Sequence, residues 1–346
     1  MVNAQTNNRF HFDRLCERFQ LGRPDREPSR VSGGFHHRMW RLDVAGASYA
    51  IKQFAADVDV TDATTRTRLN ATEVVAREFA DRGIPALASL SREGQHLQVL
   101  DDVGYLVFPW TRSKARDKND IAPYHLDTVA GILARMHRAD IRVAGLRSPP
   151  AWPHTVESVA DLLTLAQKRN VRDADYLLER KAHLLALVRK QPSAQACLSR
   201  QTTVSHGDLD HKNVLWSDSG EPLLIDWESA RPINPAYELL MEALDWSGIT
   251  AHFELRPFEN FLLAYVDAGG TIAEASIAPA FDAIVGAWVN WMLYNVGRAA
   301  GLEGPGQRAL GSGQVDLALS AMLRLERNIP RLHAIAHRFA TGEKGV

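Results

Sequence analysis

The segment His206-Gly207-Asp208-Leu209-Asp210-His211-Lys212-Asn213, followed by the apolar run Leu223-Leu224-Ile225 that ends on Asp226, holds the residues best suited to chemistry. An aspartate with an asparagine five residues later, and a second aspartate closing a later strand, supplies one proton acceptor and two hard oxygen ligands for a divalent ion. Around the terminal phosphate of a nucleotide, that set serves phosphoryl transfer. Asp208 would take the proton of an attacking hydroxyl, while Asn213 and Asp226 hold Mg²⁺ and leave positions for phosphate oxygens and water. The plainer explanation is a polar turn whose Asp and Asn cap local backbone, and the ordered set of surrounding elements argues against it. His206 is a base by type, but in this arrangement it fits better as a brace for the loop through hydrogen bonds. A metallophosphoesterase needs further His and Asp ligands in additional motifs, and no second cluster stands in the sequence.

These residues need elements to hold them. Val204-Ser205 and Val214-Leu215-Trp216 flank the loop, and the turn Ser217-Asp218-Ser219-Gly220 leads into Leu223-Leu224-Ile225, which predicts a short hairpin bringing Asn213 and Asp226 to adjoining strand ends. Upstream, Met39 to Val44 and Ser48 to Phe54 alternate around Gly46 and predict a hairpin. Lys52 interrupts the apolar alternation of its second strand, where a charge needs a cleft or a partner. Asp62 to Asp81 has helical spacing and stops at Gly83-Ile84-Pro85. Its Glu73 and Glu78 are both candidates to pair with Lys52, with Glu73 nearer the helix middle; an exposed role is the common fate of a helix Glu. Gln95 to Leu100 and Tyr105 to Trp110 predict two more strands. Ser32-Gly33-Gly34-Phe35 lies ahead of the first strand, where backbone N–H groups could approach phosphate, although two glycines alone indicate little more than a turn. His36 and His37 read as surface residues. Phe108 and Trp110 are candidates to stack on a nucleotide base, or ordinary core.

Beyond Trp110 the pattern changes to helices: Pro123 to Ala139, Thr155 to Lys168, Asp173 to Lys190, Ala236 to Leu244, Phe253 to Ala268, Ala278 to Arg298 and Gln314 to His337. The expected division is a β-rich part over 1–110, preceded by a short helical segment, and a helical part over 111–346 with a polar hinge near Trp110 to Lys118. With 346 residues, 23% charged and 45% hydrophobic, the composition suits a soluble protein of one large domain or two lobes. A formal net charge of −1 gives no global reason to bind nucleic acid or an acidic membrane. Cys16 and Cys197, far apart and outside any CxxC, argue against a disulfide framework or zinc site. The N-terminal residues lack the apolar region of a signal peptide, and Ala280 to Val296 is too short and too polar for the ~20 residues that span a bilayer. A cytoplasmic location is the simplest expectation.

Taken together, Ser32-Gly33-Gly34, Lys52, Leu133-Ala134-Arg135-Met136-His137, His206-Gly207-Asp208 with Asn213, and Ile225-Asp226-Trp227-Glu228 resemble the aminoglycoside phosphotransferase and choline kinase-like family, over about Val31 to Trp246. The resemblance implies an α+β, bilobal protein-kinase-like fold, with a small β-rich N-terminal lobe and a larger helical C-terminal lobe. It also implies ATP or GTP as donor, Mg²⁺, and a small-molecule hydroxyl as acceptor; members include antibiotic-inactivating enzymes as well as metabolic kinases of sugars or choline-like compounds. Against the protein-kinase motifs H-R-D-x-x-x-x-N and D-F-G, Gly207 stands in place of the Arg and Glu228 in place of the Gly. Only eleven residues separate Asp226 from Glu238, too few for a long regulated segment. These departures disfavour a protein kinase. Lys52, Asp208, Asn213 and Asp226 are all present, which disfavours a nucleotide-binding pseudokinase. Glu228 either reaches the metal region or braces the turn.

For the acceptor, Glu238, Glu242 and Asp245 fall on one helix face, and Trp246, Trp288, Asn290 and Trp291 could add walls. A carboxylate face would suit a cationic acceptor such as an aminoglycoside, while a solvated face is the more usual explanation of such spacing. The oligomeric state stays open.

Overall fold

The computed structural model describes residues 2–31, 37–147 and 153–342. They group into two compact units, one of Met1–Arg116, Ala139–Arg147 and Val204–Arg231, the other of Asp117–Arg138, Ser148–Thr203 and Pro232–Val346.

The first unit is built on a five-stranded antiparallel sheet of order β1-β2-β3-β5-β4, from β1 (Ser29–Val31), β2 (Arg38–Val44), β3 (Ala47–Gln53), β4 (Gln98–Leu100) and β5 (Val103–Pro109). Ala45 and Gly46, both at positive φ, close the β2–β3 hairpin in two residues, the geometry whose twist matches the strands. Period-two alternation then sorts the central strand β3. Ile51 joins Leu42, Tyr105 and Val107 on the face covered by Phe12, Leu15 and Cys16 of helix α1 (Val2–Phe19). Lys52, paired across the ladder with Met39 and Leu106, points to the opposite face, where Leu106 packs with Phe54 and with Leu69 of helix α2 (Ala63–Asp81). Helix α2 starts because the Asp62 carboxylate accepts from the Thr65 N–H at 2.7 Å, and it stops at Gly83, whose φ of 76° no β-carbon-bearing residue adopts cheaply.

A second sheet in this unit orders β6 (Lys114–Ala115), β8 (Val214–Trp216) and β9 (Pro222–Leu224), while β7 (Thr203–Ser205) leads into the loop before β8. Strand β9 is pinned on its free edge by the segment after α2, with Leu224 N–H donating to Pro85 O at 2.7 Å and Leu87 N–H to Leu224 O at 2.9 Å. That anchors the chain one residue before Ile225-Asp226.

The second unit is helical, formed by α3 (Pro123–Arg138), α4 (Val156–Lys168), α5 (Ala174–Glu179), α6 (Lys181–Leu198), α7 (Pro235–Trp246), α8 (Leu255–Asp267), α9 (Glu274–Ala299) and α10 (Arg308–Thr341); the strand β10 (Arg231–Ile233) precedes α7. Helix α9 is its axis: Ile284, Val289, Met292, Leu293 and Val296 are buried, and α4, α6, α7 and α10 pack on it. The stretch expected as one helix over Asp173 to Lys190 is two, because Arg180 leaves the helical region and serves as C-cap of one and N-cap of the next. Helix α10 begins at Arg308, a turn and a half ahead of the expected Gln314. No helix among the described residues is long and apolar enough to cross a membrane.

Candidate active site

The loop from His206 to Asn213 is held from below. His206 is fully buried and its Nε2–H donates to Ile225 O at 2.9 Å, so it braces the turn that presents Asp226, in the role that its position suggested. Its ring lies on Trp227 at 4.5 Å, and Trp227 lies on Phe79 of α2 at 5.4 Å. Gly207 has φ of 76°, and a β-carbon there would collide with the Arg231 guanidinium and the Ser229 carbonyl. Arg231 donates to both Gly207 O at 3.2 Å and Ser229 O at 2.8 Å. The space beside Gly207 is therefore filled by Arg231 from across the turn.

Asn213 Nδ2 donates to Asp208 O at 2.8 Å and to Asp208 Oδ2 at 3.1 Å. Both partners only accept, which settles the orientation of the amide and turns its Oδ1 away as a hard oxygen donor. The hairpin does the rest: Val214 pairs with Leu224, and Ile225 N–H donates to Asn213 O at 3.0 Å, so Asn213 and Asp226 sit on adjacent chain positions. Asp226 is in the left-handed region, φ 63° and ψ 60°, a conformation that Asp tolerates better than most residues and that turns its carboxylate out of the strand. An amide oxygen and a carboxylate are the donors that Mg²⁺ takes, so this set fits the ion. Solvent reaches Asp208, yet protein surrounds its carboxyl on most sides. Desolvation, with Asp210 and Asp226 adding to it against His206 and Lys212, raises its pKa above the ordinary carboxylate value.

Lys52 is buried, and its ammonium meets two carboxylates: Asp226 Oδ1 at 2.8 Å and Glu228 Oε1 in closer contact. Burial works against the charged amine, but Glu228 and then Asp226 outweigh it and raise its pKa. The expected partner on α2 is elsewhere. Glu73 is buried and accepts from Ser89 N–H at 3.0 Å, and among the described residues it makes no ion pair with Lys52. Removal from water pushes its carboxyl up to about 7. Glu78 points outward and pairs with Arg82 at 2.5 Å. Glu228 is the residue that reaches Lys52, and its other oxygen, Oε2, is 3.1 Å from His37 Nε2. Burial raises the Glu228 carboxyl, but the His37 hydrogen bond and the Lys52 charge prevail and bring it down to about 2. His37 is thus no surface residue: its side chain is 9% exposed and its Nδ1 accepts from Ala55 N–H at 3.2 Å. Sequence reading passed over His37 because a His-His pair after glycines carries no spacing signal.

Ser32, Gly33 and Gly34 lie outside the described residues. Phe108 is half-buried against the Phe54–Leu106 cluster, and Trp110 is half-buried with the Arg41 guanidinium 4.8 Å over its ring.

The candidate acceptor residues belong to the second unit, and the structure separates them. Glu238 is fully buried and accepts from His137 Nε2 at 2.7 Å, while His137 Nδ1 meets the Tyr265 hydroxyl at 2.9 Å. Glu242 is buried as well. Neither forms part of a solvated face or an open acidic wall, because α7 turns that side into the helical core against α3, α8 and α9. Asp245 is partly exposed, with Lys118 Nζ at 3.6 Å. Trp246 is buried but lines a cavity of about 190 Å³ with Lys118, His252, Glu254 and Asn260. Trp291 is exposed beside Tyr294, their rings 5.7 Å apart.

A model of the phosphotransferase enzyme family matches residues 27–280. No curated relative matches by sequence. Among solved structures, a spectinomycin phosphotransferase in complex with ADP and spectinomycin is 13% identical with a TM-score of 0.65, covering 90% of this chain and 98% of its own. An amicoumacin kinase in complex with AMP-PNP, Ca²⁺ and its antibiotic is 14% identical with a TM-score of 0.63, covering 95% of each chain. A choline kinase from Streptococcus pneumoniae is 18% identical with a TM-score of 0.57, covering 90% of this chain and 99% of its own. The α+β, protein-kinase-like fold is common to them and to this chain.

Proposed function

Since the chain belongs to the phosphotransferase enzyme family, a family of enzymes that transfer phosphate to small-molecule hydroxyls, we propose that it moves the γ-phosphate of ATP or GTP to a hydroxyl of an aminoglycoside or another hydroxylated antibiotic. The observation that carries the phosphoryl-transfer reading is the convergence of Asp208, Asn213 and Asp226 through one hairpin, with Lys52 2.8 Å from Asp226. Asp208 accepts the hydroxyl proton as the acceptor oxygen bonds to the γ-phosphorus and the bond to the β-bridging oxygen breaks. Asn213 Oδ1 and the Asp226 carboxylate would hold Mg²⁺, which would supply positive charge against the phosphate oxygens. Lys52 holds the donor phosphates, and Phe108 and Trp110 flank the base. Rate comes from alignment and from charge placed ahead of reaction.

Residues 1–110 are read as the nucleotide lobe and 111–346 as the helical lobe bearing the catalytic loop and acceptor region, in a cytoplasmic enzyme; by contact, the loop-bearing stretch Val204–Arg231 groups with the first unit. With Glu238 and Glu242 sealed in the core, Asp245, Trp246 and Trp291 are the remaining acceptor candidates. The antibiotic reading is supported by the presence of antibiotic kinases among the chains that share this fold, the spectinomycin and amicoumacin enzymes above among them. The test is a screen of aminoglycosides, other hydroxylated antibiotics, simple sugars, choline and ethanolamine with ATP or GTP and Mg²⁺, read by mass spectrometry. A phosphate adduct on an antibiotic is the expected result. An adduct only on a sugar, choline or ethanolamine makes the enzyme a metabolic kinase instead, and no adduct with any donor overturns the transfer itself.

A further inference from the structure

We propose that Glu228, oriented by His37, is the positioning residue that presents Lys52 to the donor phosphates, in place of the helix carboxylate Glu73. This rests on the phosphotransferase reading above and assigns the work of one side chain within it.

Lys52 is 8% exposed in the middle strand of the sheet, and a buried ammonium needs anions whose geometry is fixed. Of its two, the Asp226 carboxylate is the one that the proposed function gives to Mg²⁺, which leaves Glu228 as the anion of Lys52 with no metal role. Glu73 does not compete for that place. Its carboxylate is fastened by Ser89 N–H at 3.0 Å, and the Ser89 hydroxyl is in turn 2.9 Å from His96 Nδ1. Glu73 thereby secures the segment ahead of β4 to α2.

The Glu228 carboxylate is held at both oxygens. His37 Nδ1 accepts from Ala55 N–H at 3.2 Å, so the ring hydrogen is on Nε2 and is donated to Glu228 Oε2 at 3.1 Å. The ring is itself set edge-on against Phe54 at 4.8 Å. Because His37 fixes Oε2, Oε1 is left facing Lys52 Nζ. The backbone of Glu228 is secured separately, its carbonyl accepting from Arg68 of α2 at 3.5 Å. His37, set by Ala55, therefore fixes the carboxylate while Arg68 fixes the backbone, a double anchoring that a residue merely ending a turn would not need.

The test is a double-mutant cycle on nucleotide affinity, measured by titration calorimetry with the full chain, Mg²⁺ and a non-hydrolysable ATP or GTP analogue. Glu228→Gln, which keeps the shape and removes the charge, is expected to weaken binding about tenfold, and His37→Ala to weaken it in the same direction by less. In a Lys52→Met background both substitutions are expected to change nothing further, because each acts through the ammonium. Glu73→Gln is expected to weaken binding less than Glu228→Gln. Additive losses in the Lys52→Met background, or a larger loss from Glu73→Gln, overturn the assignment. If Glu228→Gln does not fold, Glu228→Asp takes its place in the same cycle, with the same outcomes. Wild-type protein that binds neither analogue refutes the phosphotransferase reading itself, whereas binding with additive losses refutes only the role given to Glu228.

Discussion

Two histidine–glutamate pairs do opposite work in the two units. In the helical unit, His137 and Glu238 are 3% and 0% exposed, and the second ring nitrogen meets the Tyr265 hydroxyl, so the network runs buried across α3, α7 and α8. Burial first, and then the Glu238 charge, drive the Tyr265 phenol upward, as expected of a group that stays un-ionised. In the first unit, His37 and Glu228 are 9% and 24% exposed, and the third member is a lysine that also touches Asp226. A sealed network with a neutral third partner stabilises a core. A half-open one holds the Lys52 cation beside the Asp226 carboxylate, the arrangement that the proposed function uses. The residue types are the same; what differs is the charge of the third member and its access to solvent.

Substitutions can break this contrast, beginning at the site. Asp226→Ala removes one anion of Lys52 and the carboxylate proposed to hold Mg²⁺, and is expected to abolish Mg²⁺-dependent nucleotide binding; calorimetry that finds the affinity still dependent on Mg²⁺ would reject the ligand role. Asp208→Asn should lower turnover ~10²–10⁴-fold, the usual share of general-base help, with nucleotide affinity retained. An unchanged rate of adduct formation would remove Asp208 from the mechanism. In the other unit, Glu238→Ala strands a buried histidine and should cost about 3 kcal/mol of stability in urea melts, while the protein that remains folded binds nucleotide as before. A loss of nucleotide affinity without a loss of stability would erase the distinction between the two pairs.

The gentlest effect concerns pH. Glu73 has its folded pKa raised from 4.5 to about 7, so the fold favours the neutral carboxyl. Its contribution to stability is complete below 4.5 and is lost as pH rises through about 7. Glu73→Gln should therefore flatten the pH dependence of stability across that window and make the protein more stable than wild type above it. Matching slopes for the two proteins would show that Glu73 does not titrate there. Glu228 runs in the other direction: with its pKa lowered from 4.5 to about 2, it stabilises above 4.5 and ceases to do so as pH falls toward 2.

Much of the site could be read before folding because its parts are close in the chain. Asp208, Asn213 and Asp226 lie within nineteen residues and one short hairpin, so strand alternation and a turn suffice to bring them together. Lys52 was readable as a charge out of register with its strand. The site assignments that changed turn on contacts with remote chain. Glu73 meets Ser89 rather than Lys52, Glu228 meets His37 across 191 positions, and Glu238 meets His137 across 101. Helical spacing placed Glu238, Glu242 and Asp245 on one face, but it carries no information about whether that face meets water or other helices.

Hydrophobic periodicity and short loops were enough to specify a β-rich first third, a helical remainder and the hairpin that brings Asn213 and Asp226 together, since each depends on interactions within a few turns or one strand pair. Packing alone decided which acid serves Lys52 and which acids are sealed in the core. A buried charge is tolerated only where partners from distant segments arrive with the right geometry, and that convergence exists only in the folded chain.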